Sequence, residues 1–178
     1  MTQHHQRILN LLDENAISYK SLHHEETRTS EESARVRGVD LATGGKALVL
    51  KVRPAAAGDD DSDYNNNAFA LFIVSAARQL DTKAIKKEFK TKNVQFATSA
   101  ELSALTDGLV PGSVPPFGRP ILDLDLFVDT SIAQENEMIA FNCGSLTDSV
   151  IMAVEDYLKI ALPTKIFTFS KAKKNAEG

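Results

Sequence analysis

Two strongly apolar runs of strand length, separated by a polar and acidic stretch, constrain this chain's fold more than any other feature. The segment from Lys46 to Val52 and Ala68-Phe-Ala-Leu-Phe-Ile-Val74 are rich in branched and aromatic residues. Their closeness in sequence predicts an antiparallel pair. Between them, Pro54-Ala-Ala-Ala-Gly-Asp-Asp-Asp-Ser-Asp-Tyr-Asn-Asn-Asn67 has too few large apolar groups to offset the entropy of ordering. An exposed, flexible, variable insertion over 54–67 is expected.

Around this pair, hydrophobic periodicity and punctuation predict further elements. Ile8, Leu11 and Leu12 have helical spacing within 3–15, and Ile17 to Leu22 alternates as a strand does. Thr29-Ser-Glu-Glu32 and Thr98-Ser-Ala-Glu101 both have capping-box form, and Gly38 suits the stop of the first of these helices. Asp81 can cap a helix that buries Leu80, Ala84, Ile85 and Phe89. Strands are predicted for Asn93 to Ala97, Ile121 to Val128, Met138 to Cys143 and Ser149 to Met152, then a helix from Val154 to Leu162 that Pro163 stops. The remainder, 163–178, reads as a basic tail. Scattered strands with intervening helices indicate one α/β domain of the α+β type, a mixed sheet surrounded by helices.

A formal net charge of -4 argues against global electrostatic binding of nucleic acid, so any such contact needs a local patch. Lys83, Lys86, Lys87 and Lys90 share one helical face and form the candidate for RNA contact; the same residues serve equally as a solvated amphipathic face. The lone cysteine, Cys143, can form no internal disulfide, and the first residues lack the form of a secretory signal. No apolar run is long enough to span a membrane. A cytoplasmic location is expected.

Several chemistries are disfavoured by residue type and spacing. Gly44-Gly45-Lys46 lacks the leading glycine and the following hydroxyl of a nucleotide-binding phosphate loop, since Asp40 and Ala47 occupy those positions. Histidines occur only at 4, 5, 23 and 24, leaving no evident base for a Ser or Cys nucleophile. Cys143 ends an apolar run and reads as a buried structural thiol. Asp123 and Asp125 alternate with leucines as an exposed strand face, so no metal is expected. Gly108-Leu-Val-Pro-Gly-Ser-Val-Pro-Pro-Phe-Gly118 excludes regular structure but fixes a backbone path. Its amides can face a carbonyl or oxyanion, or it can be a plain linker.

Three segments in order, Thr27-Arg-Thr-Ser-Glu-Glu32, Gly45-Lys-Ala-Leu-Val-Leu-Lys51 and Gly112-Ser-Val-Pro-Pro-Phe-Gly118, are followed by Phe141-Asn-Cys-Gly-Ser145. Together they resemble the YbaK and prolyl-tRNA-synthetase editing-domain family from about Ile17 to Leu162, within a domain taken as 1–162. The resemblance implies a mainly antiparallel, curved sheet and a freestanding deacylase that hydrolyses the ester of tRNA mischarged with alanine, serine or cysteine, with tRNA for proline as the expected carrier. It implies catalytic roles for Lys46, Gly112, Ser113 and Gly118, and substrate-binding roles for Gly45, Val114, Pro115, Pro116, Phe117, Gly144 and Ser145. Aminoacyl-tRNA, held at its acceptor end, is the implied substrate, and a synthetase is a further implied partner; no cofactor is implied. Some members carry a histidine in the segment matching Gly144-Ser-Leu-Thr147, and this chain has none there. A positioned water, assisted by the substrate's ribose hydroxyl, is therefore the expected nucleophile. A noncatalytic tRNA- or synthetase-binding module is the alternative, and an esterase or amidase acting on small aminoacyl compounds a third.

Overall fold

The structure, a computed structural model, describes residues 1–52 and 68–174. The expected insertion at 54–67 lies outside the described residues. Helix α1 (Gln3–Glu14), strand β1 (Tyr19–His23) and helix α2 (Ser30–Arg37) lead through a single 3-10 turn at Leu41–Thr43 to the apolar pair, β2 (Gly45–Val52) and β3 (Phe69–Ser75). These pair antiparallel, with Lys46 opposite Val74 and Leu50 opposite Ala70. Then follow β4 (Arg78–Leu80), α3 (Thr82–Phe89), β5 (Val94–Phe96), α4 (Ser99–Thr106), β6 (Asp125–Asp129) and α5 (Thr130–Glu135). The chain closes with β7 (Met138–Asn142), β8 (Asp148–Ala153), α6 (Val154–Ala161), β9 (Lys165–Phe167) and β10 (Ser170–Ala172).

This is the expected mixed, mainly antiparallel α+β architecture, with the strands divided among hydrogen-bonded sheets in the orders β5-β2-β3-β6-β9, β1-β8-β7 and β10-β4. Among the named strands of the described residues, the β3–β6 and β6–β9 pairs run parallel and the others antiparallel. Every residue of β3 is buried, the pattern of a strand covered on both faces. Alternation sends Leu71 and Ile73 into one core with Ile8, Leu12, Phe117, Phe141 and Tyr157. Ala70, Phe72 and Val74 enter a second core with Leu50, Ile85, Phe127 and Phe169. Phe72 is central there, 5.2 Å from the Phe127 ring and 5.3 Å from Phe169.

The helix punctuation acts as predicted. Thr29 with Glu32 and Thr98 with Glu101 both form reciprocal capping boxes, Asp81 caps α3, and Gly38 adopts φ +66° after α2. Two expectations need correction. The strand predicted from Ile121 begins only at Asp125, because the Gly118 carbonyl accepts from both Ile121 N (2.9 Å) and Leu122 N (3.0 Å) and folds that stretch into a turn. Asp123 and Asp125 both reach Arg119, at 2.7 and 2.6 Å.

The second correction concerns 163–178, read as a tail. Lys165–Phe167 and Ser170–Ala172 are strands. The cause is Asp129, fully buried at the end of β6. Its carboxylate accepts from Phe169 N (2.7 Å), Ser170 Oγ (2.7 Å) and Ser131 N (3.0 Å), and also from Ser131 Oγ. One carboxylate therefore caps α5 and holds the C-terminal segment against the sheet. No local pattern announces it.

Gly118 owes its identity to packing. A Cβ there would stand 2.5 Å from the Leu124 carbonyl oxygen, a backbone atom that cannot swing aside. Gly118→Ala is expected to cost about 1–3 kcal/mol, read as a lower urea midpoint at unchanged slope; an unchanged midpoint would contradict this packing.

Candidate functional site

The capping box that starts α2 and the glycine that ends it fix where Arg37, its last residue, emerges. The side chain is only 9% exposed. Its Nε donates to Ser149 Oγ at 2.8 Å, Nη2 to Asn142 Oδ1 at 2.7 Å, and Nη1 to the Ala140 carbonyl at 3.5 Å. None of these acceptors is a carboxylate. Burial pulls the guanidinium down to about 10, which leaves it protonated at neutral pH. Asn142 passes the constraint on, donating from Nδ2 to the Gly112 carbonyl at 2.6 Å. A buried cation thus ties α2, β7 and β8 to the glycine-proline loop.

These elements enclose a cavity of about 170 Å³. Gly45 and Lys46, at the start of β2, lie on one side and Gly112 and Val114 on another, with Thr27, Arg28, Ser33, Arg37 and Asn142 among the other lining residues. Gly45 admits close packing, since a Cβ there would fall 2.7 Å from Ile139 Cδ1. Lys46 is half-buried, and its ammonium is held below the ordinary lysine value by burial first and by nearby Lys173 second, with Glu31 opposing. The cavity therefore combines three cations, Arg28, Arg37 and Lys46, with small hydroxyls and backbone, and no Asp or Glu lines it among the described residues. It is well below the roughly 300–1,000 Å³ of pockets that hold drug-sized ligands. A small acyl group suits it.

Gly45, Lys46, Gly112 and Val114 are thus brought together. Ser113, Gly144 and Ser145 line a different cavity, of about 290 Å³, beside Thr2, His4 and Val110. The Ser113 hydroxyl is engaged within its own turn, donating to the Val110 carbonyl at 2.8 Å and accepting from Val110 N at 3.0 Å. Ser145 Oγ donates to Asp148 at 2.6 Å. Pro115, Pro116, Phe117 and Gly118 are buried, the Pro116 carbonyl accepting from Tyr157 Oη at 2.7 Å while Phe117 packs on Phe141 and Tyr157. Of the glycine-proline loop, Gly112 and Val114 face the cavity that holds Lys46. Lys83, Lys87 and Lys90 are exposed on α3, Lys86 is half-buried, and none of the four lines this cavity.

Arg37, Asn142, Thr27 and Ser33 were not singled out from sequence as site residues. Asn142 carried a usable signal, as the one polar residue within the apolar run Met138 to Cys143. Arg37 carried none, since an arginine in the last turn of a helix is ordinary. The thiol of Cys143 is fully buried and pushed up to about 12 by burial, as a structural cysteine should be. His24 Nε2 lies 2.7 Å from Ser149 Oγ, yet Ser149 is fully buried and committed to Arg37 and Asn142. That pair positions; it does not offer a nucleophile to a ligand.

Behind the site, Asp148 collects Ser145 Oγ, His23 Nδ1 (2.8 Å) and Thr147 Oγ1 (3.1 Å). Burial alone would raise its carboxyl, but these hydrogen bonds outweigh it and hold the group at about 2. Because the folded value lies below the ordinary 3.8, the stabilisation is complete above 3.8 and lost as pH falls through about 2. Asp148→Asn should therefore flatten the acid limb of urea stability in that window; an acid limb identical to the wild type's would contradict the network.

Comparison with known proteins places this geometry. The model of the aminoacyl-tRNA editing domain matches residues 24–160. The chain is 34% identical over 160 residues to the multifunctional Ser/Thr-tRNA deacylase ProXp-y of Escherichia coli K12, covering 89% of each chain, and equally to that of Escherichia coli O157:H7. Among solved structures it superposes on a putative trans-editing enzyme for prolyl tRNA synthetase with a TM-score of 0.75 at 18% identity, covering 97% of this chain and 99% of that one. The hypothetical protein APE2540 gives 0.72 at 18%, over 93% and 99%. With the family match spanning most of its length and meeting the cavity of Arg37, Lys46 and Gly112, the chain belongs to the aminoacyl-tRNA editing-domain family.

Proposed function

We propose that this chain hydrolyses the ester between a small, wrongly attached amino acid and the terminal ribose of a tRNA, with serine the leading candidate. The observation that carries the reading is the small cavity that pairs Lys46 with Arg37 and has no lining carboxylate among the described residues. The name of the Escherichia coli relatives, Ser/Thr-tRNA deacylase, supports the same reaction class.

The chemistry follows from what such a cavity can do. A water attacks the ester carbonyl carbon, oriented by the neighbouring hydroxyl of the substrate's own ribose. The developing oxyanion meets the loop backbone at Gly112 and Val114, and Lys46 supplies positive charge beside the ester. The carbon–oxygen bond to the ribose breaks, and its oxygen leaves with a proton. Arg37 acts at one remove, through Asn142, by holding the Gly112 carbonyl in place.

Selectivity is steric, as in the second sieve of an editing site. Thr27 Oγ1 and Ser33 Oγ, 2.9 Å apart on the wall, offer partners for a substrate hydroxyl and so favour serine over alanine. The α3 lysines contact the RNA body beyond the acceptor end, and a synthetase that produces the mischarged species is the natural partner. A cytoplasmic setting accords with the free, buried Cys143, and no helix among the described residues is long and apolar enough to cross a membrane.

The test is deacylation of a panel of mischarged tRNAs by wild type and Lys46→Ala at matched folding. Wild type should release serine fastest, and Lys46→Ala should lose about 10²–10³-fold in rate, as removal of one preorganised electrostatic group does. Absence of turnover on every tRNA by folded wild type would overturn the proposal.

A further inference from the structure

Lys46 borders a second, larger depression of about 650 Å³, and the two depressions also share Leu48. Its cations are Lys46, Arg78, Lys173 and Lys174, and no Asp or Glu lines it among the described residues. In a chain of net charge -4 that segregation is a local electropositive groove. Phe96, on edge strand β5, lines the same groove at 60% exposure, the most exposed phenylalanine among the described residues. The groove thus presents an exposed aromatic face beside clustered cations.

The fold builds this arrangement from distant parts of the chain. Phe96 stands opposite Leu50 across the β2–β5 ladder, on the face that also carries Leu48 and Lys46 by strand alternation. Arg78 is paired with Ala172 in the β4–β10 ladder, which places Lys173 and Lys174 at the same end. Lys173 Nζ donates to the Ala76 carbonyl at 2.8 Å, and Ala76 itself lines the small cavity. Arg78 Nε donates to Ser170 Oγ at 2.7 Å, with Glu135 3.9 Å away on its other side. The C-terminal segment is therefore a wall of a groove that leads to the candidate site.

We propose that this groove receives the unpaired 3′ end of the RNA substrate, with Phe96 as the platform for a base and Arg78, Lys173 and Lys174 as phosphate-binding groups. The inference rests on the deacylase reading for its destination, since the strand would deliver the terminal ribose to Lys46. Stacking plus phosphate neutralisation is how single-stranded nucleic acid is held without sequence readout. An acidic peptide would match the cations but leave Phe96 without a planar partner, so the composition favours RNA. The groove is distinct from the exposed lysines of α3, of which only Thr82, at the helix start, reaches its lining.

The experiment is fluorescence anisotropy of the full chain with a short, uncharged single-stranded RNA ending in CCA, across a salt series. Here uncharged means carrying no amino acid. Phe96→Ala and the pair Lys173→Glu with Lys174→Glu are each expected to weaken binding by about tenfold or more. The charge pair should also flatten the salt dependence by about 0.7 for each phosphate that is no longer neutralised, while Phe96→Ala leaves that slope unchanged. Lys20→Glu with Lys159→Glu, both exposed and away from the groove, controls for net charge and should leave affinity within about twofold. Folding of each variant is verified by its urea midpoint. Equal weakening by the control pair, unchanged affinity in both groove variants, or equally tight binding of a poly-aspartate peptide would overturn the groove. Because the probe carries no ester, RNA binding without turnover on any mischarged tRNA would fell the deacylase reading and leave the groove standing. Turnover with intact affinity and KM in the groove variants would do the reverse.

Discussion

The architecture of this site depends on one buried guanidinium. Arg37 satisfies itself on a hydroxyl, an amide oxygen and a carbonyl, with no carboxylate among its acceptors in the described residues, and so places a positive charge inside the wall of the cavity. Burying a charge without a counter-ion is expensive, and the hydrogen bonds offset only part of that cost. Here the guanidinium locks Asn142, and Asn142 in turn holds the Gly112 carbonyl, so the loop wall opposite Lys46 has one defined position.

That constraint makes sense of the surrounding fold. The β2–β3 pair, whose β3 strand is covered on both faces, provides a rigid base from which Lys46 projects near the start of β2. The isolated bridge between Gly44 and Ala140 brings the start of β2 against β7, the strand that carries Asn142. Two hydrogen-bonded sheets therefore meet at the cavity. Glycines at 44 and 45 permit the approach: a Cβ on Gly44 would lie 3.1 Å from Ala76 Cβ, and one on Gly45 would overlap Ile139.

What was legible in the sequence was local chemistry. The capping boxes at Thr29 and Thr98, the αL glycine at 38 and the β2–β3 pair are set by neighbouring residues, and each formed as expected. What was not legible arises from contacts between distant residues. The order of the C-terminal segment follows from Asp129 meeting Phe169 and Ser170 some 40 positions later. The absence of Pro115 to Gly118 from the cavity lining follows from the loop turning inward after Val114, where Phe117 packs into the aromatic core, while Ser113 is held in its own turn by Val110 and Ser145 by Asp148. Lys46 and Gly112 are expectations of the family resemblance; that Arg37 and Asn142 line the same cavity and hold the Gly112 carbonyl is visible only in the structure.

The proposed mechanism relies on geometry held in advance, with charge and backbone arranged before the ester arrives. The most direct test of that account is single-turnover hydrolysis of serylated tRNA by Asn142→Ala, with the urea midpoint followed in parallel. The account predicts that the chemical rate falls by about tenfold or more while KM changes little, because the loop wall loses its anchor and Lys46 remains. A rate equal to that of wild type, in a variant that folds normally, would contradict it.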